Sequence, residues 1–326
     1  MVGIFKGADG DLIPFTKRFT DPEIAVKTQF SIAEAYFEMA KKHRRLGQKE
    51  VTQREIATGK KVLEEALRDY PESEARAQGD YLLANLSLEL AEEVTDEKEK
   101  RHYFNEALLR FTKIVGRHRD SSYAPKSQFK KALTLERMGS FDAACEEYVK
   151  LSYRWPDNEL IAETIARLGQ YFFRKGKGLL DLETDDALEK EKAKLTAHNM
   201  FTTAAEVFGR MVVRFPQHKL AEKTTVLSGQ CYMRAEKYDK AVVALTQVVD
   251  NGDAEKEVRA EAMYWCADSY TKMEGQALRP GQPPPLTQAY RMFKRLTWDY
   301  PSSKWAKYAR GRLTEPQISS AGEDSA

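Results

Sequence analysis

One spacing recurs six times along this chain, and it constrains the fold more than any single residue does. Four amphipathic stretches end in an aromatic residue followed by proline: Tyr70-Pro71, Trp155-Pro156, Phe215-Pro216 and Tyr300-Pro301. Counting back twelve, eight and five residues from each proline gives a small residue, a bulky one and an apolar one. The sets are Gly59, Leu63, Ala66; Ala144, Tyr148, Leu151; Ala204, Phe208, Met211; and Ala289, Phe293, Leu296. Two more sets, Ala107, Phe111, Ile114 and Ala241, Leu245, Val248, stand at the same distances before Arg119 and Asp253. Steps of four and three put each set on one helical face, and a small first residue lets a neighbouring helix come close. An internal period of this kind is the mark of a repeat array.

A second series fits between these sets. Thirteen residues beyond most of the turns lies another small residue, with a bulky one three positions on: Ala132 with Leu135, Gly169 with Phe172, Gly229 with Tyr232. Ala33 with Tyr36 and Ala267 with Tyr270 are the equivalents near the ends, and Ala84 is followed by Ser87. Each repeat is therefore a pair of helices. Added residues at about 46–52, 95–100, 177–194 and 275–285 are expected as inter-helix insertions, since loops absorb length at small entropic cost. Asp21-Pro22 reads as an N-cap with proline at the first helical position, so the array starts there. Trp305, Ala309 and Leu313 at helical spacing predict a terminal covering helix. Residues 1–20 are an extension too short and irregular to classify, 21–313 the array, and 314–326 a small, polar tail expected to be disordered.

These residues resemble the tetratricopeptide repeat (TPR), a unit of about thirty-four residues. The resemblance covers about Asp21 to Pro301 and is cleanest between Pro125 and Pro156. It implies an all-α fold, a right-handed α-solenoid of about six TPR-like helix pairs with a C-terminal capping helix. In such arrays the first helices line a concave wall. Carrying the family's fifth position onto this chain gives Phe30, Tyr81, Phe129, Ala166, Val226 and Tyr264. Its twelfth gives Phe37, Leu88, Glu136, Phe173, Met233 and Thr271. Its thirteenth gives Glu38, Glu89, Arg137, Arg174, Arg234 and Lys272. The resemblance implies a partner-binding groove on Phe30, Phe37, Tyr81, Phe129, Phe173, Val226, Met233 and Tyr264, with large aromatic contact area. Arg137, Arg174 and Arg234 would add a basic ladder for an acidic segment. Tyr81 stands where the carboxylate-clamp subclass has lysine, so capture of a chaperone tail is not expected.

The turns Tyr70-Pro71-Glu72-Ser73 and Tyr300-Pro301-Ser302-Ser303 also resemble repeats of bacterial envelope proteins: outer-membrane assembly lipoproteins of the BamD kind and periplasmic Tol-Pal-associated proteins. No lipobox cysteine lies near Met1. With a leader absent from this sequence the protein would be periplasmic; otherwise it would be cytoplasmic.

Fifty-two Lys and Arg against fifty Asp and Glu leave no global field for nucleic acid or anionic lipid, so any electrostatic specificity is local. No apolar run is long enough for a spanning helix. Cys145, Cys231 and Cys266 are odd in number and far apart, against a disulfide framework or a CxxC site. The five histidines lack metal-ligand spacing, and Gly176-Lys177-Gly178 lacks the rest of a phosphate loop. A non-catalytic scaffold without metal or cofactor, binding a protein or peptide, is the expectation. Nucleic-acid association, self-assembly and service as the interaction part of a larger enzyme are the alternatives.

Overall fold

The computed structural model describes residues 4–6, 12–14, 21–71, 75–273, 281 and 283–323. The chain divides into two compact units, Met1–Trp155 and Pro156–Ala326. The division falls at one of the four aromatic–proline turns, inside what the sequence presents as one array.

Unit 1 opens with a hairpin of β1 (Ile4–Lys6) and β2 (Leu12–Pro14), antiparallel with Phe5 opposite Ile13. These are the only strands among the described residues, and they fall in the extension that sequence patterning left unassigned. Six helices follow: α1 (Pro22–Arg45), α2 (Lys49–Asp69), α3 (Arg76–Glu93), α4 (Glu97–Arg117), α5 (Tyr123–Arg137) and α6 (Phe141–Arg154). α1 packs on α2, α3 on α4 and α5 on α6, and α4 lies against α5. Helix α1 is capped as the sequence suggests: Asp21 accepts a hydrogen bond from the Glu23 amide (2.9 Å) and Pro22 occupies the first turn.

Unit 2 repeats the scheme with α7 (Ile161–Leu180), α8 (Ala187–Arg214), α9 (Ala221–Arg234), α10 (Tyr238–Val249), α11 (Lys256–Thr271) and α12 (Pro285–Asp299). α13 (Lys304–Leu313) covers α11 and α12, as predicted, with Trp305 and Ala309 buried. Arg312 fixes it, pairing with Asp268 at 2.9 Å and donating to Thr271 at 3.0 Å. The tail departs from expectation. α14 (Pro316–Glu323) packs on α12, and Ile318 is fully buried. A single well-placed isoleucine gives this otherwise polar stretch something to bury.

The expected insertions are mostly not loops. Only residues 46–48 separate α1 from α2, and residues 181–186 separate α7 from α8. Their Lys, Glu, Ala and Leu content favours helix, so the added residues lengthen the pairs instead. Most of the fourth insertion, 275–280 and 282, lies outside the described residues.

The predicted small positions carry the packing. All twelve, from Ala33 and Gly59 to Ala267 and Ala289, are buried. A Cβ added at Gly229 would lie 2.4 Å from Leu245 Cγ, and one at Gly169 2.4 Å from the Phe208 ring. Bulky residues of second helices thus fill the space that first helices leave open. The turn from α9 to α10 uses Glu236 at φ +58°, where the turns after α1 and α5 use Gly47 and Gly139. Glu236 is the one described non-glycine residue in the left-handed region, and its carboxylate reaches Lys194 at 3.4 Å.

Buried charge ties the helices of unit 1 together. Asp80 of α3, almost wholly buried, meets Lys113 (2.9 Å) and Arg110 (3.4 Å) of α4. Glu147 of α6 meets Lys131 (3.1 Å) and Lys150 (2.8 Å), and Gln128 donates to it. Burial alone would raise the Glu147 pKa. Hydrogen bonds from Lys150, Gln128 and Lys131 outweigh burial and hold it below the ordinary carboxylate value.

Gly229→Ala is expected to cost about 1–3 kcal/mol in urea unfolding, through overpacking against Leu245. Gly116→Ala, where an added Cβ meets nothing within 4 Å, is expected to gain roughly 0.5–1 kcal/mol from helix propensity. Glu147→Gln tests the buried network. A depressed folded-state pKa contributes stability above the unfolded carboxylate pKa and loses it as pH falls through the folded value. Wild type should therefore exceed the variant in stability at neutral pH, with the gap closing as acid protonates Glu147.

Candidate interaction site

The spacing of α1 decides which residues face a partner. Phe30, Ala33 and Phe37 recur at three and four residues, so they share the stripe that packs on neighbouring helices. Phe30 and Ala33 are fully buried. A Cβ at Gly79 of α3 would lie 2.6 Å from Phe30 Cζ, and one at Gly59 of α2 2.7 Å from Phe37 Cε1. Glu34, Glu38 and Lys41 form the adjacent stripe, at four and three residues, and they are accessible.

Across from them on α3 stand Leu82, Asn85, Leu86 and Glu89, again at helical spacing. Together with Phe37 these residues line a cleft of about 510 Å³ between two first helices. Lys41 bridges it: its Nζ lies 2.9 Å from Glu38 and 3.1 Å from Glu89. The hydrogen bond to Glu38 raises the Lys41 pKa, against the opposing effect of burial. Glu34 has no ion-pair partner among the described residues. Its charge adds to burial in pushing up the Tyr123 hydroxyl, and Tyr123 packs at a tilt against Tyr81 with centroids 5.2 Å apart. One turn along, Arg44 meets Glu93 at 2.6 Å; burial still raises the Glu93 pKa. The cleft is thus apolar at its base and carries three carboxylates against one ammonium.

The groove residues predicted from the repeat separate by position. Phe30, Phe129 and Val226 are buried and belong to the core, which corrects the expectation that they face a partner. Each lies one turn from the small residue that contacts the next helix and so points into the packing; Tyr81 and Tyr264, in the same register, are half-buried against other rings. Phe129 also packs at a tilt against Tyr148, with centroids 5.6 Å apart. Phe37 contributes a ring edge at the base of the cleft. Tyr81 is half-buried against Phe111 (5.9 Å) as well as Tyr123.

In unit 2, Phe173, Met233 and Tyr264 are half-buried, while Arg174 and Arg234 are exposed. The arginines expected to form a ladder have other attachments. Arg137 pairs with Glu92 in unit 1. Arg234 lies over the rings of Phe173 (5.2 Å) and Phe201 (5.9 Å). Tyr264 joins an aromatic cluster with Trp265 (5.2 Å), Trp305 (5.3 Å) and Tyr308 (6.1 Å).

Two further openings lie in unit 2. A polar cleft of about 480 Å³ runs between the first turns of α7 and the segment before α9, with Glu159, Glu163, Arg167 and Lys219 at its walls. An apolar groove of about 310 Å³ separates α8 from α10, floored by Gly209, Thr225 and Ser228 and edged by exposed Val213 and Val243. Sequence reasoning gave Glu38 and Glu89 at the thirteenth repeat position but missed Glu34 and Lys41, although their spacing of four and three from Glu38 was a visible signal. The α8–α10 groove had no comparable signal, because its floor is made of residues small enough to leave a gap.

Among the described residues no group of three or more His, Cys, Asp or Glu is placed to hold a metal ion. No described helix is long and apolar enough to cross a membrane. Burial pushes the Cys231 and Cys266 thiols up to about 12, so neither is a thiolate at neutral pH.

Residues 181–318 match the YfiO family of outer membrane lipoproteins. That match covers α8 to α13 and part of α14. The fold is similar to a tetratricopeptide repeat protein from Parabacteroides merdae, at 12% identity over 86% of this chain and 97% of that one, with a TM-score of 0.32. It is also similar to a thermophilic TPR protein from Thermus thermophilus, at 16% identity over 73% of this chain and 98% of that one, TM-score 0.32. A third similarity is to the TPR domain of P58(IPK), at 12% identity over 93% and 92%, TM-score 0.26. No curated protein matches the sequence.

Proposed function

We propose that this protein is a non-catalytic scaffold that holds a segment of a protein partner against its first helices, within a bacterial cell-envelope assembly. The observation that carries the reading is the α1–α3 cleft. It combines an apolar base of Phe37, Leu82 and Leu86 with Glu34, Glu38 and Glu89 at its rim. A short peptide or helix with an apolar anchor and a flanking Lys or Arg has the complementary chemistry. Apolar contact supplies affinity there, and the carboxylates select the cation.

In unit 2 the same role falls to half-buried Phe173, Met233 and Tyr264, with Arg174 and Arg234 beside them. The envelope setting is supported by the match of residues 181–318 to a family of outer membrane lipoproteins. Helix-pair repeats also supply accessible surface on rigid elements, which suits holding a partner.

A peptide-display selection against the whole chain tests this. Enriched peptides should carry Lys or Arg next to apolar residues. Their affinity should fall about tenfold, or about 1.4 kcal/mol, on Glu34→Lys or Glu89→Lys. Loss of enrichment altogether, or binding indifferent to both substitutions, would contradict the proposal.

A further inference from the structure

The near-neutral total charge conceals a strongly cationic end. Between Pro285 and Leu313 stand seven Lys and Arg residues against one acid, Asp299. Asp299 is committed to Arg295, 3.1 Å away. Arg312 is committed to Asp268 and Glu315. The other five cations, Arg291, Lys294, Lys304, Lys307 and Arg310, are exposed and have no carboxylate partner among the described residues.

Geometry adds an apolar group to this charge. Arg291, Lys294, Arg295 and Trp298 follow one another at intervals that keep them on one exposed stripe of α12. Trp298 is 85% exposed, an unusual position for the largest apolar side chain. It occupies the last turn of α12, and Lys304 opens α13 after a turn of only residues 300–303, so both stand at one end of the helical hairpin. Lys304 lies over the ring of Trp305 (4.8 Å) and Lys294 over Tyr290 (5.5 Å), which aligns their stems along aromatic surface.

We propose that this α12–α13 surface docks on an anionic phospholipid membrane. The match is one of chemistry. Indole rings settle at headgroup level, where one part meets hydrocarbon and the N–H meets water. Lys and Arg side chains around the ring reach the phosphates, each adding attraction that decays within a Debye length. Trp298, 85% exposed, stands on the same stripe as the cations, the pairing an anionic interface takes. A site for single-stranded nucleic acid would place several free rings between its cations for stacked bases; the α12 stripe offers Trp298, and α13 adds only Tyr308, which is engaged with Tyr264 and Trp305. The inference is independent of the α1–α3 cleft, because it uses other residues in the other unit.

The test is co-sedimentation of the whole chain with vesicles of phosphatidylcholine alone or with one-third phosphatidylglycerol. Binding is expected only to the anionic vesicles, weakening as salt rises. Trp298→Ala, and separately Arg291→Ala with Lys294→Ala, should each reduce it about tenfold. Tyr153→Ala removes an 88% exposed aromatic residue from unit 1 and should leave binding unchanged. All these side chains are exposed, so circular dichroism should report an unaltered fold. Absence of binding, equal binding to both vesicle types, or indifference to Trp298→Ala overturns the proposal. So does retention of a single-stranded oligonucleotide or polyglutamate in place of anionic vesicles.

Discussion

Close approach of two helices at a small residue is the contact on which the rest of this structure depends. At Gly169 and Gly229 the space for a Cβ is already taken by Phe208 and Leu245, each from the second helix of the same pair. At Gly79 it is taken by Phe30 of the preceding pair. The small residue fixes the distance, and the bulky one fixes the register. With both fixed, a neighbouring stripe of α1 has no second helix to cover it and stays open to solvent, whereas on α11 the equivalent stripe is covered by α13. Function, in an array of this kind, is located by what packing leaves over.

That principle explains how the candidate surface differs from the one implied by the repeat pattern. Phe30 and Phe129 look like docking aromatics because they are large and lie on first helices. Their spacing from Ala33 and Ala132 puts them on the packed stripe, where they stabilise the fold. Glu34 and Glu38 lie about a quarter of a turn around the helix from that stripe and line the cleft. The change is small in angle and decisive in chemistry, because it turns an aromatic groove into an acidic one with an apolar base. Arg234 follows the same logic in unit 2: its guanidinium covers the rings of Phe173 and Phe201.

Helix pairs, their order and the covering helix were legible because each rests on periodicity within one element, and periodicity is written in the sequence. Trp305 and Ala309 announced α13 in this way. Features that depend on contact between distant segments were not legible. Ile318 gives no local sign that α12 will bury it, so the tail reads as polar and disordered. Residues 177–194 read as an insertion because they break the repeat length, yet their helix-forming composition extends α7 and α8. The cationic end was hidden by summation, since acidic residues elsewhere cancel it in the total. Its residues were all visible, and the terminal helix was already expected to be rich in Lys and Arg, but nothing local announced the exposed Trp298 beside them.

Adjacent residues on α1 have opposite fates, Ala33 locked between helices and Glu34 open to solvent. Thiol labelling measures this directly. In a Cys145→Ser background the two remaining native cysteines are buried, with thiols at about 12, and react slowly. Ala33→Cys and Glu34→Cys then report the two stripes separately. Glu34→Cys is expected to label roughly 100-fold faster or more, because a thiol at 33 reacts only when the helices open. Comparable rates at 33 and 34 would contradict it.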